Sequence, residues 1–209
     1  MNLTNYYWFF PSAIPERICD DIARYGKQIQ DQMAVTGGYG KDPKDLSKKE
    51  IKDLKRKRDS NIVWMNDRWI YKEIHPYINQ ANVNAGWNFE WSWSESCQFT
   101  KYKLNQFYDW HCDSWDRPYD KPDDPSRHGK IRKLSCTVSL SDGNEYEGGE
   151  FEFDMRNTDK GTNQPYVCHE IKPKGSIVVF PSFVWHRVKP VTSGTRYSLV
   201  IWNLGWPFK

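Results

Sequence analysis

From Trp87 onward the chain alternates: Trp87, Phe89, Trp91 and Trp93 occupy every second position, with polar residues between them. A period of two belongs to a half-buried strand, because successive side chains leave an extended backbone on opposite sides. The same pattern, or a short apolar run bounded by Gly, Asp or Pro, predicts strands over 97–103, 133–140, 149–153, 167–171, 176–180 and 196–204. With shorter strands at 6–10 and 61–64, this predicts a β sandwich or open barrel.

Two earlier stretches follow the helical period. Ile14, Ile18, Ile22 and Ile29 lie near one face of a helix expected over 15–32. Trp69, Ile70, Ile74, Ile78 and Ala81 mark a second over 67–86, where Pro76 is expected at a turn or kink. Between them, 37–58 carries nine Lys or Arg and four Asp or Glu, with little that is apolar beyond Leu46, Ile51 and Leu54. There Ser47-Lys-Lys-Glu50 forms a capping box, with Leu46 and Ile51 at the staple positions, so a short exposed helix is expected. It has little with which to anchor itself to a core.

At 209 residues, one domain is expected. Its parts are an N-terminal support over 1–96 and a β core over 97–205. Trp, Tyr and Phe make up 16% of the chain, which suits a β protein whose few apolar side chains are large. The net charge of +3 selects neither nucleic acid nor an anionic membrane as partner. Cys19, Cys97, Cys112, Cys136 and Cys168 are odd in number and contain no C-x-x-C pair, which argues against a disulfide framework and a zinc ribbon and points to the reducing cytoplasm. The first ten residues lack the basic start of a signal peptide and are too short for a membrane span.

His111-Cys112-Asp113 places an imidazole and a carboxylate two residues apart, on one side of extended chain. Taken alone this says little, since a chance Asp two places after one of five histidines is expected in roughly one chain in four. His186 changes the weight, because it follows an apolar strand and a Pro-Ser turn and so sits at a strand end. Two His and one carboxylate make the facial triad of non-haem iron(II), which leaves positions open for substrate and oxygen. Ten residues later Arg196 begins a strand on which Arg196, Ser198, Val200 and Trp202 share one face and Tyr197, Leu199 and Ile201 the other. Its rigid fork of donors suits a buried carboxylate.

Tyr102-x5-Tyr108-x2-His111-x-Asp113, Arg132-Lys-Leu-Ser, Glu147-Gly-Gly-Glu150, Lys174-Gly-x3-Val-Phe-Pro181 and His186-x9-Arg196-Tyr-Ser together resemble the 2-oxoglutarate and iron(II) dependent dioxygenases of the prolyl 4-hydroxylase type. The resemblance covers 97–205. It implies a double-stranded β-helix, or jelly roll, with N-terminal α-helices packed on one sheet. It further implies iron(II) on His111, Asp113 and His186, and 2-oxoglutarate on Arg196, Tyr102 and Ser198. Dioxygen would be the oxidant and ascorbate a supporting reductant. Arg58, Tyr108, Arg132 and Trp202 match positions lining the target-proline pocket, and 37–59 would be the mobile substrate loop. Gly148-Gly149 reads as a hairpin turn.

The implied reaction is hydroxylation of an unactivated C–H bond, of a prolyl residue in a protein or peptide before others. Hydroxylation of a free amino acid or small metabolite, or of a nucleic-acid base, remains open from the residues alone. So does a jelly-roll binding module without catalysis. Nucleic acid is the less favoured partner, and no membrane is expected.

Overall fold

The computed structural model describes residues 3–35, 43–155 and 165–209, and its elements follow in this order. Strand β1 (Trp8–Phe10) leads into helix α1 (Glu16–Gln28), strand β2 (Gln32–Met33) and helix α2 (Lys48–Lys57). Next come β3 (Arg58–Asp59), β4 (Asn61–Met65), helix α3 (Arg68–Asn84), β5 (Trp93–Ser94), β6 (Cys97–Tyr102), β7 (Phe107–His111) and β8 (Ile131–Ser139). The remaining strands are β9 (Tyr146–Gly148), β10 (Phe151–Phe153), β11 (Tyr166–Val167), β12 (Ile177–Pro181), β13 (His186–Val188), β14 (Val191–Gly194) and β15 (Arg196–Gly205).

The strands build a large sheet in the order β1-β12-β8-β15-β6-β4-β2, with β5 on the end of β15, and a smaller one in the order β11-β10-β13-β7-β3. Strands β9 and β14 form a separate pair. Tyr102, Val178 and Phe180 of the large sheet meet Phe151, Phe153 and Val188 of the smaller one in a buried cluster, so the two sheets close on each other as a jelly roll. The opposite face of the large sheet carries the helices. There Ile22 of α1 and Ile70, Ile74 and Ile78 of α3 are fully buried against Phe99, Cys136, Val138, Leu199 and Ile201. Each such isoleucine contributes about 1.5–3 kcal/mol. Gly26 lets α1 lie close on the sheet, since a Cβ there would come within 2.7 Å of the Phe99 ring.

Several expectations need correcting. Trp87 and Phe89 are buried and Asn88 is exposed, as alternation requires, yet pairing begins only at Trp93. The local period reports burial, whereas a strand needs a partner. Ile29 falls beyond the end of α1 and is exposed, and Pro76, expected at a turn or kink, lies inside α3 and so not at a turn. Residues 169–171 form a 3-10 turn after a two-residue strand. Gly148-Gly149 is not a hairpin turn, because β9 pairs with β14 while β10 pairs with β11 and β13. Both glycines have positive φ and carry the chain from one pair to the other, where a Cβ on Gly148 would strike the Pro190 carbonyl oxygen at 2.4 Å.

In the segment expected to be a substrate loop, 37–42 lies outside the described residues. The rest holds a short 3-10 turn, α2 and β3. The Ser47–Glu50 capping box is present, as expected. Most of α2 is exposed, and its one buried residue is Leu54, at 1% exposure. Leu46, just ahead of the Ser47 cap, is buried as well.

Candidate active site

His111 ends β7, His186 begins β13, and the two are direct partners across the antiparallel pair. Asp113 lies just past the strand rather than on it. Its backbone N–H and that of Ser114 both donate to the Ser182 carbonyl oxygen, at 2.8 and 2.9 Å. That turn brings the Asp113 carboxylate to 3.9 Å from Nε2 of His111 and 3.6 Å from Nε2 of His186. One ligand atom from each residue lies within 4.8 Å of the other two. Each Nδ1 faces a backbone carbonyl, Asp109 at 2.8 Å and Val184 at 2.9 Å. A carbonyl only accepts, so each Nδ1 carries the proton and each Nε2 presents its lone pair to the shared space. Two neutral imidazole nitrogens and one carboxylate oxygen fit a divalent iron and leave half its octahedron open.

The electrostatics agree with that use. Burial, reinforced by His186, holds the His111 imidazole well below its ordinary range, and burial lowers His186 likewise. Burial pushes the Asp113 carboxyl up, but His186, His111, Arg132 and the Ser135 hydroxyl outweigh it, and the net shift is downward. Ser135 Oγ donates to Asp113 Oδ2 at 2.7 Å and lies 2.9 Å from Ser182 Oγ. The three residues thus keep the ionisation states that metal binding needs.

Beside the triad, a narrow cavity of about 40 Å³ runs between the sheets to Arg196. Arg196, Ser198, Val200 and Trp202 all line it, so the face read from the period of β15 is the inward one. Arg196 is 3% exposed and ion-pairs with no described residue. Its Nη1 donates to Ser198 Oγ at 3.2 Å, and Tyr102, its cross-strand partner, presents a ring 5.5 Å from the guanidinium carbon. A buried cation without a counter-ion is costly, and a bound carboxylate removes that cost.

Opposite, a wider vestibule of about 470 Å³ opens to the surface and reaches Asp113 and Cys112. Arg58, Tyr108 and Trp202 line both spaces, and Arg132 lines the vestibule. Tyr108 stacks on His111 with centroids 3.4 Å apart, and the guanidinium carbon of Arg58 lies 4.4 Å from the centre of the Tyr108 ring. Arg58 is bonded to Ser60 Oγ and Gln98 Oε1 rather than to a carboxylate. Arg132 lies 3.9 Å from the Trp202 ring centre and is held by Glu95, with Nε 2.7 Å from Oε2. Sequence reading missed Glu95, Tyr119 and Gln98. Tyr119 donates to Glu95 at 3.0 Å, and no local pattern marks these three. Ser135 and Ser182 stood within stretches already singled out, though without a role.

A family model described as the 2OG-Fe(II) oxygenase superfamily matches residues 97–203. The chain is 34% identical over 106 residues to a PKHD-type hydroxylase of Xylella fastidiosa, covering 50% of this chain and 42% of that protein. To a PKHD-type hydroxylase of Synechococcus it is 35% identical over 108 residues, covering 51% and 40%. The matched stretch is thus less than half the length of either relative. Among solved structures, a Pseudomonas putida prolyl-4-hydroxylase aligns with a TM-score of 0.66 at 17% identity, over 96% of this chain and 93% of that one. A viral collagen prolyl hydroxylase from Paramecium bursaria Chlorella virus-1 aligns at 0.63 and 19%, over 97% of each. At such identities these structures speak for the fold.

Proposed function

The chain belongs to the 2-oxoglutarate and iron(II) oxygenase superfamily, and we propose that it hydroxylates a prolyl residue of a protein or peptide. The family uses iron(II), 2-oxoglutarate and dioxygen. In this reading His111, Asp113 and His186 hold the iron, and Arg196, Tyr102 and Ser198 hold 2-oxoglutarate. Bound iron supplies the activation of dioxygen that couples decarboxylation of 2-oxoglutarate to oxidation of a C–H bond.

The protein's own part is binding, orientation and exclusion of water. Arg196 offers its fork to the far carboxylate of 2-oxoglutarate. Ser198, which accepts from Arg196, keeps its own O–H to donate, and the Tyr102 phenol donates beside it. Phe151, Phe180, Val188 and Val200 line the same space and keep water from the reacting centre. On the vestibule side, Tyr108 and Trp202 offer apolar faces for a pyrrolidine ring. Trp202 Nε1 is buried without a hydrogen-bond partner among the described residues, a donor suited to a substrate carbonyl.

The observation that carries the prolyl reading is this aromatic, open-mouthed vestibule ending at Asp113. It also disfavours a free amino acid. Glu95, the other buried carboxylate there, is taken by Arg132 and Tyr119, which leaves no anion among the described residues of the vestibule for an α-ammonium group. The test is aerobic incubation with iron(II), ascorbate, 2-oxoglutarate and a panel of proline peptides, proteins and amino acids, reading succinate and substrate mass together. A gain of one oxygen on a prolyl residue is expected. Turnover confined to free amino acids would overturn the reading.

A further inference from the structure

We propose that the outward face of α2 is a docking surface for an acidic segment of the polypeptide substrate. The inference rests on the reading of a polypeptide substrate. Residues 43–58 hold eight Lys or Arg against three Asp or Glu, a local net of +5, whereas the whole chain is +3, so everything else sums to −2. At about 100° per residue, Lys48, Lys49, Lys52, Lys55 and Arg56 fall within an arc of about 120° on the side away from the buried Leu54. All five are exposed, and no carboxylate falls inside that arc. Glu50 is turned back to cap Ser47, while Asp53 and Asp59 at the flanks pair with Arg56 and Lys55. Lys48, Lys49 and Lys52 ion-pair with no described residue.

An ordinary solvated helix intersperses signs, with Glu four residues before Lys. Here Lys48–Lys52, Lys49–Lys52, Lys52–Lys55 and Lys52–Arg56 are all like-charge neighbours at i,i+3 or i,i+4, and each weakens a helix of only ten residues. An anionic partner relieves that repulsion. The place of the helix says which partner. Arg58, its C-cap residue, lines the vestibule, so the C-terminal end of α2 lies beside the candidate active site. Lys48 to Arg56 spans about 12 Å of helix axis, the reach of about four extended residues. A nucleic acid needs a longer positive track, and the rest of the chain is net negative.

The test is fluorescence anisotropy on the full chain, loaded with iron(II) and 2-oxoglutarate without oxygen. The probes are a labelled proline peptide flanked by a glutamate tract, its match with a glutamine tract, and an oligothymidylate of equal charge. The glutamate peptide is expected to bind roughly tenfold more tightly than the glutamine peptide at low salt. That preference should vanish in the Lys48→Gln, Lys49→Gln, Lys52→Gln variant, with peptide-independent succinate formation unchanged. Equal binding of the two peptides overturns the proposal, as does a preference that survives in the variant or tighter binding of the oligonucleotide. Binding is read apart from chemistry, so a glutamate preference without oxygen gained on proline leaves the surface standing and sinks the prolyl reading.

Discussion

His111 and His186 face each other across β7 and β13, with ring centroids 4.1 Å apart, although 75 positions separate them in the chain. The register shifts beside them: His186 pairs with His111, but Val188 pairs with Tyr108, so β7 carries one residue more than β13. Three positions apart on a regular strand, Tyr108 and His111 would point to opposite faces. The extra residue turns both inward, where their rings stack. A one-residue slip of β13 would instead send His186 away from the carboxylate.

Asp113→Ala removes the only anion of the triad. Bound iron and 2-oxoglutarate turnover are expected to fall by more than the roughly 10- to 100-fold that outer partners of a metal site cost. Metal analysis of the purified variant and succinate formation measure the two effects. Full iron content with full turnover would place the metal elsewhere.

Ser135→Ala leaves the ligands in place but removes the 2.7 Å hydrogen bond that orients Asp113. A loss of about 10- to 100-fold in iron(II) affinity is expected, with turnover restored at high iron. An unchanged iron titration would show that the Ser182 anchor alone holds the carboxylate.

Arg196→Met exchanges a buried, uncompensated cation for an apolar chain of similar length. Its effect on stability should depend on the co-substrate. Without 2-oxoglutarate the variant is expected to match or exceed the parent in melting temperature; with it, the parent alone gains. Loss of the carboxylate partner should raise the KM for 2-oxoglutarate about 100-fold. A normal KM would count against Arg196 as the co-substrate anchor.

Acid should destabilise the metal-free protein from a definite point. Burial lowers His111, His186 and also His75 from 6.5, so the unfolded chain binds protons first as pH falls. The full contribution of these neutral imidazoles is therefore present above about 6.5 and is lost progressively below it. Iron(II) on the two Nε2 atoms competes with protons and should delay the loss. Denaturant midpoints followed against pH, with and without iron, measure both; a flat metal-free profile between about pH 7.5 and 5 would contradict the lowered values.

How much of this was legible beforehand differs from residue to residue. The inward face of β15, with Arg196, Ser198, Val200 and Trp202, followed from a period of two, and the buried face of α3 from the helical spacing of Ile70, Ile74 and Ile78. The capping box of α2 was written in four consecutive residues. These features depend on the direction in which a local backbone sends its side chains, and short-range sequence carries that information.

Tertiary structure alone decided the rest. Glu95 became the counter-ion of Arg132, Ser182 fixed the turn that aims Asp113, Gly148-Gly149 became a crossing between strand pairs, and Tyr108 came to lie on His111. The triad residues were named from sequence, but their meeting depends on the pairing of β7 with β13. The physical reason is that strand register and carboxylate partners are set by which distant segments pack together, and a local hydrophobic period is the same whatever lies across the sheet.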